Sequence, residues 1–183
     1  MTQGEDEQGA STRLNMRYLV RSACWGAIPQ VMVKDSSLFI VFAALLGAGD
    51  MLSVMSTALN DLSACLLVLP LALLSDRLGV KRQLTLSVLA GAVLLLLAAT
   101  APWWGNFSGR LLLVALGGFA VAMSAYTAAW FPLLEQVVPA AERGLFFGRL
   151  RFAWQLVAAL FIAGSGLFIG RLATIGRLQA IIV

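Results

Sequence analysis

Apolar residues gather in five long runs, at about 20–46, 51–75, 83–102, 111–134 and 150–170, and a sixth begins at about 178–183. Each of the five reaches or exceeds the roughly 20 residues that a helix needs to cross a hydrocarbon core about 30 Å thick. The pattern predicts an all-α polytopic membrane protein with five transmembrane helices and the start of a sixth. Gln30 and the stretch Lys34-Asp35-Ser36-Ser37 interrupt the first run. It divides either into two short segments or stays one helix kinked at Pro29. One helix is preferred, because neither half alone spans the bilayer. The second run opens polar, with Ser53, Ser56, Thr57, Asn60, Asp61 and Ser63, and ends apolar. The short Gly47–Asp50 link makes these two spans an antiparallel hairpin.

The third run ends at Pro102-Trp103-Trp104, an aromatic anchor for a membrane interface. The fourth carries Gly117-Gly118, Ser124, Tyr126, Thr127 and Pro132, and the fifth carries Gly164-Ser165-Gly166. These small residues suit close helix contact. Asn106-Phe107-Ser108 fits the N-glycosylation pattern but lies too near the membrane to be a good acceptor.

Composition agrees with this pattern. The 183 residues are 60% hydrophobic and 12% charged, with a mean hydropathy of +0.89. Soluble domains run at about 45–50% apolar and about 25% charged. A pI near 9.7 would suit nucleic acid, but the basic residues sit in small groups between apolar runs, as the positive-inside rule requires. The expected partner is therefore the lipid bilayer, with no nucleic acid. With no His in the chain, His-based metal ligation and acid–base catalysis are excluded. Cys24 and Cys65 fall inside apolar runs and read as buried free thiols. No metal, no cofactor and no enzymatic activity are expected.

Orientation follows from charge. Arg13, Arg17, Arg21, Arg77, Lys81, Arg82, Arg143, Arg149 and Arg151 share one side of the predicted bundle, against Arg110, Arg171 and Arg177 on the other. This places the N-terminus in the cytoplasm of a protein of the cell's inner (plasma) membrane. Residues 1–19 read as a disordered cytoplasmic tail without the basic start and short apolar core of a signal peptide, and residues 20–183 as the transmembrane bundle.

Three ionisable residues stand inside predicted spans: Lys34, Asp35 and Asp61. Each costs about 2.5–3.5 kcal/mol on insertion scales unless it is paired or faces a cavity. In a hairpin turning near residue 48, Asp61 comes level with residue 36, so at 1.5 Å per residue all three share one layer. Lys34 pairs with Asp61 or with Asp35. Gln30, Lys34 and Ser37 lie on one helix face. The group is either a structural ion pair locking the hairpin or part of a substrate or proton site.

The charged junction Asp76-Arg77-Leu78-Gly79-Val80-Lys81-Arg82 carries a resemblance. With Ala72 in place of the first Gly and Val80 in place of one basic residue, it resembles the loop signature of the major facilitator superfamily of secondary transporters. Leu46–Asp50 is similar to that family's first external turn, and the stretch from Val138-Pro139 to Gly148-Arg149 to its link into the fifth helix. The resemblance implies the N-terminal half of an MFS transporter, moving a small solute by alternating access and inactive without a C-terminal half or a second half-transporter as partner. It implies a substrate path lined by the first and fourth helices, adding Tyr126 and Ser124 to Lys34, Asp35, Asp61 and Gln30. It also implies a gating latch formed by Asp76, Arg77, Gly79, Lys81 and Arg82, with Arg143 or Arg149 as partners for Asp76. Val114 stands where proton-coupled members carry Arg, and the fifth helix lacks the Gly-Pro of antiporters, so a drug–proton antiporter is not expected. The alternative is a non-transporting assembly or regulatory subunit built on the same half-bundle.

Overall fold

The computed structural model describes the backbone of residues 3–35, 37–170 and 173–183, and their side chains apart from 3–13, 50–53, 56 and 57. Expectations resting on Arg13, Ser36, Ser53, Ser56, Thr57 and Arg171 lie outside the described residues. The elements in order are α1 (Gln3–Gln30), a π-helical turn (Val31–Asp35), α2 (Leu38–Leu45), α3 (Asp50–Leu78), α4 (Val80–Ala99), a 3₁₀ segment (Ala101–Phe107), α5 (Ser108–Val137), a 3₁₀ turn (Ala140–Glu142), α6 (Arg143–Ile169) and α7 (Ile175–Ile182). Four of these stretches are long and apolar enough to cross a membrane: Ala58–Leu78, Val80–Ala99, Ala101–Val137 and Ala140–Ile169. Leu14–Asp35 with Leu38–Leu45 makes a fifth if the bent pair is one span. The chain is an all-α bundle of membrane-spanning character.

Its outer surface carries Leu66, Leu69 and Leu73 on α3, Leu86, Leu89 and Val93 on α4, and Leu156, Leu160 and Leu167 on α6, all exposed. Apolar faces of this extent are unstable in water and suit lipid. Inside, α5 packs along both α3 and α4, and α1 packs against α6. The main core lies toward one end, where Phe39 and Phe42 of α2 meet edge to face at 6.4 Å among Leu95, Leu112, Leu116, Phe119, Leu178 and Ile182. A smaller cluster at the opposite end joins Leu134, Val138 and Phe146, with Met16, Leu19 and Val20 of α1 against it.

Three expectations need correction. The first run is not one continuous helix: it breaks after Asp35 and turns by 55° into α2. Pro29 supplies no N–H and crowds the preceding turn, and the π-helical turn that follows shifts the backbone register. The charged stretch Asp76–Arg82 is not a loop. α3 continues through Leu78 and α4 starts at Val80, so Gly79 alone joins them, at φ +83°. Its N–H bonds the Ser75 carbonyl at 2.9 Å, and its carbonyl accepts from the Gln83 N–H at 3.1 Å. Cys65 is exposed on the apolar face of α3, and Cys24 is half-buried. α1 begins at Gln3, α5 runs to Val137 and α6 begins at Arg143, each reaching past the apolar run that marked it.

Candidate functional site

The break in the first span positions its charge. Val31, Met32 and Val33 occupy the π-helical turn at 0–2% exposure, and the changed register leaves Lys34 and Asp35 facing outward. Lys34 Nζ lies 2.8 Å from Asp61 Oδ1 of α3. Of the two acids that could hold Lys34, Asp61 does so, and Asp35 makes no ion pair among the described residues. At 1.5 Å per residue, Asp61 lies roughly 16 Å along α3 from its start. Within the apolar stretch Ala58–Leu78, Asp61 stands three residues from the start, about 4.5 Å along the helix. The pair is not sealed into protein: the side chains are 42% and 70% exposed.

One step deeper along α3, the Ser63 and Ser124 hydroxyls are 3.1 Å apart. Ser124 is 3% exposed and also donates to the Ala120 carbonyl at 2.9 Å. Its place is in the α3–α5 seam. Tyr126, two residues on, faces another side of α5, and a Cβ added to Gly26 of α1 would sit 3.8 Å from its hydroxyl. The six residues expected to share one site therefore divide. Lys34 and Asp61 form an ion pair, Asp35 stands beside it, Ser124 packs the adjacent seam, and Gln30 and Tyr126 line a cleft between α1, α5 and α6.

That cleft is open on one side and has a volume of about 400 Å³. α1 contributes Ala23, Gly26 and Gln30, which share a face at helical spacing. From α5 come Tyr126, Thr127 and Trp130, the two rings stacked at 5.5 Å with 17° between planes. Arg151, Trp154 and Gln155 of α6 close the third wall. Sequence reasoning assigned Arg151 only to the charge count and did not single out Trp154 or Gln155. Their i, i+3, i+4 spacing was the available signal. A second cleft of about 760 Å³ opens between the middle of α1 and the start of α6, lined by Arg17, Arg21, Arg149 and Glu142 with apolar Met16 and Phe146.

Asp76, Arg77, Lys81 and Arg82 are exposed around Gly79, and no side chain caps the start of α4. Arg143 does not meet Asp76. It reaches back to the end of α5, donating to the Val138 carbonyl at 3.4 Å and the Glu135 carbonyl at 3.5 Å, with the Glu135 carboxylate at 4.0 Å. A cation there complements the negative end of the helix dipole. Arg149 lines the second cleft and makes no ion pair among the described residues.

The junction is held from beneath by Gln83, which is 3% exposed. Its amide nitrogen donates to the Leu71 carbonyl of α3 and the Ala125 carbonyl of α5, both at 3.0 Å. One side chain so ties three helices together. No His, Cys, Asp and Glu cluster suited to a metal occurs among the described residues. No protein-family model, no curated protein and no solved structure matches this chain.

Proposed function

We propose that the chain is one helical bundle of an MFS-like secondary transporter, carrying a small solute by alternating access together with a second bundle. The observation that carries this reading is the Lys34–Asp61 pair, an exposed ion pair between helices of membrane-spanning character. Opposite charges so placed do not face hydrocarbon without a penalty of several kcal/mol. The pair therefore opens onto water or onto a second bundle, the arrangement in which alternating-access carriers place their midplane sites. The kinked first span supports the same reading, because interrupted helices are tolerated at membrane depth where they line a cavity. The neighbouring cleft, with Gln30 and Tyr126, supplies hydrogen-bonding groups and flat apolar walls of the kind small-molecule sites use. The basic residues Arg13, Arg17 and Arg21 of α1, those of the α3–α4 junction and those at the α6 start support a cytoplasmic location for that end.

In this reading Gly79 lets two spans meet without a linker, and the exposed charges around it contact the partner bundle or the anionic leaflet as the bundles rock. The test is the nucleotide sequence following codon 183, combined with uptake. A continuing frame with about six further spans, and solute uptake by proteoliposomes of the whole product that Asp61→Asn reduces, is the expected result. A stop codon with no partner bundle and no uptake would favour a non-transporting membrane subunit.

A further inference from the structure

The cleft between α1, α5 and α6 is chemically one-sided. Its lining contains one charged side chain, Arg151, and no carboxylate. Arg151 makes no ion pair or hydrogen bond among the described residues. The nearest cation above it on α1, Lys34, is already matched by Asp61. The exposed Arg151 shares the cleft with the amides of Gln30 and Gln155 and the hydroxyl of Thr127, whose proton is committed to the Met123 carbonyl at 2.9 Å. The remaining wall is aromatic, with the Tyr126–Trp130 stack and Trp154. An aromatic wall attracts a cation through its π faces, but a cation here would meet Arg151 with no acid to offset it. A guanidinium presents paired donors that match a carboxylate in a bidentate fork. A volume of about 400 Å³ lies near the lower end of the roughly 300–1,000 Å³ found for small-molecule sites.

We propose that this cleft binds a small planar organic anion, with its carboxylate on Arg151 and its unsaturated body against the aromatic wall of Tyr126, Trp130 and Trp154. That the anion is the transported solute rests on the transporter reading; that it binds does not. A cation placed only to orient the chain needs water alone. Arg149 shows the contrast: it lies in the other cleft with an acid, Glu142, and two further arginines.

The test uses the purified full chain in lipid nanodiscs. Tryptophan fluorescence is titrated with benzoate, benzamide and benzylammonium at constant ionic strength, since Trp130 and Trp154 report on the cleft directly. Benzoate is expected to give a saturable change, benzamide to bind at least tenfold more weakly, and benzylammonium to give none. Arg151→Gln lowers benzoate affinity at least tenfold, Arg151→Lys recovers part of the loss, and Arg149→Gln leaves affinity unchanged, with folding of each variant checked by circular dichroism. The proposal is overturned if benzoate gives no saturable change, if benzylammonium binds as tightly, or if folded Arg151→Gln binds benzoate like the parent. The two readings fail separately. Benzoate binding that depends on Arg151, without uptake by the whole transporter, keeps the anion site and removes transport. Uptake of a neutral or cationic solute without benzoate binding does the reverse.

Discussion

Removing either partner of the Lys34–Asp61 pair asks what its open side faces. At the observed 2.8 Å, the attraction is about 1.5 kcal/mol in bulk water and about 6 kcal/mol at an effective dielectric of 20. With the side chains 42% and 70% exposed, solvent screening and lost side-chain entropy reduce the net value toward the roughly 0.2–1 kcal/mol measured for exposed pairs. A water-facing pair therefore predicts that Lys34→Met and Asp61→Asn each destabilise by less than about 1 kcal/mol, with a coupling of similar size in the double variant. A lipid-facing pair predicts another pattern. Each single change strands a charge at mid-depth and costs about 3–5 kcal/mol, while the double variant returns close to the parent. The assay is a double-mutant cycle, with unfolding in mixed micelles followed by far-UV circular dichroism. Large single losses cancelled in the double variant would refute an open, hydrated site.

Further consequences concern the scaffold. Gly79→Ala must hold φ near +83° with nothing within 4 Å to clash, so its cost is backbone strain alone, about 1–3 kcal/mol. Gly144→Ala, equally uncrowded but with ordinary φ, serves as the control in the same unfolding assay, and equal effects would contradict the account of the junction. Gln83→Leu removes two hydrogen bonds worth about 1 kcal/mol each, but also removes a buried, unpartnered Oε1. Stability within about 1 kcal/mol of the parent is expected, and a loss above about 3 kcal/mol would show that Gln83 holds the junction more strongly than its bonds indicate. Gly118→Ala meets only the flexible tip of Leu94 at 2.9 Å, whereas at Gly109 a Cβ meets Ala48 Cβ at 3.0 Å and its Cα at 3.3 Å. Gly109→Val should therefore cost about 1–3 kcal/mol and Gly118→Ala under about 1 kcal/mol in thermal unfolding.

The helices and the layer shared by Lys34 and Asp61 were legible in the sequence; the boundaries and grouping of the rest were not. Apolar runs mark where lipid lies, but a helix continues wherever its backbone bonds are satisfied, and so α3 and α4 extend through charged residues to Gly79. Equal depth along a hairpin puts Asp61 within reach of Lys34, as Asp35 is by adjacency. Choosing between Asp35 and Asp61 required the π-helical turn, whose register depends on distant packing around Val31–Val33. Tyr126 and Ser124 are both on α5 but face different neighbours, a separation of about 200° that helical geometry contains and a list of polar residues hides. Arg151 was read by sign alone; its environment is set by α1 and α5, more than twenty residues away.

The proposed transporter requires a hydrated cavity beside Gln30. Thiol labelling at Gln30 tests it most directly. In a Cys24→Ala, Cys65→Ala background, Gln30→Cys in sealed vesicles is exposed to a membrane-impermeant maleimide added to one side and then the other. Leu69→Cys, on the exposed apolar face of α3, is the lipid-facing control. Gln30→Cys is expected to react from at least one side while Leu69→Cys stays unlabelled. Silence at both positions from both sides would contradict it.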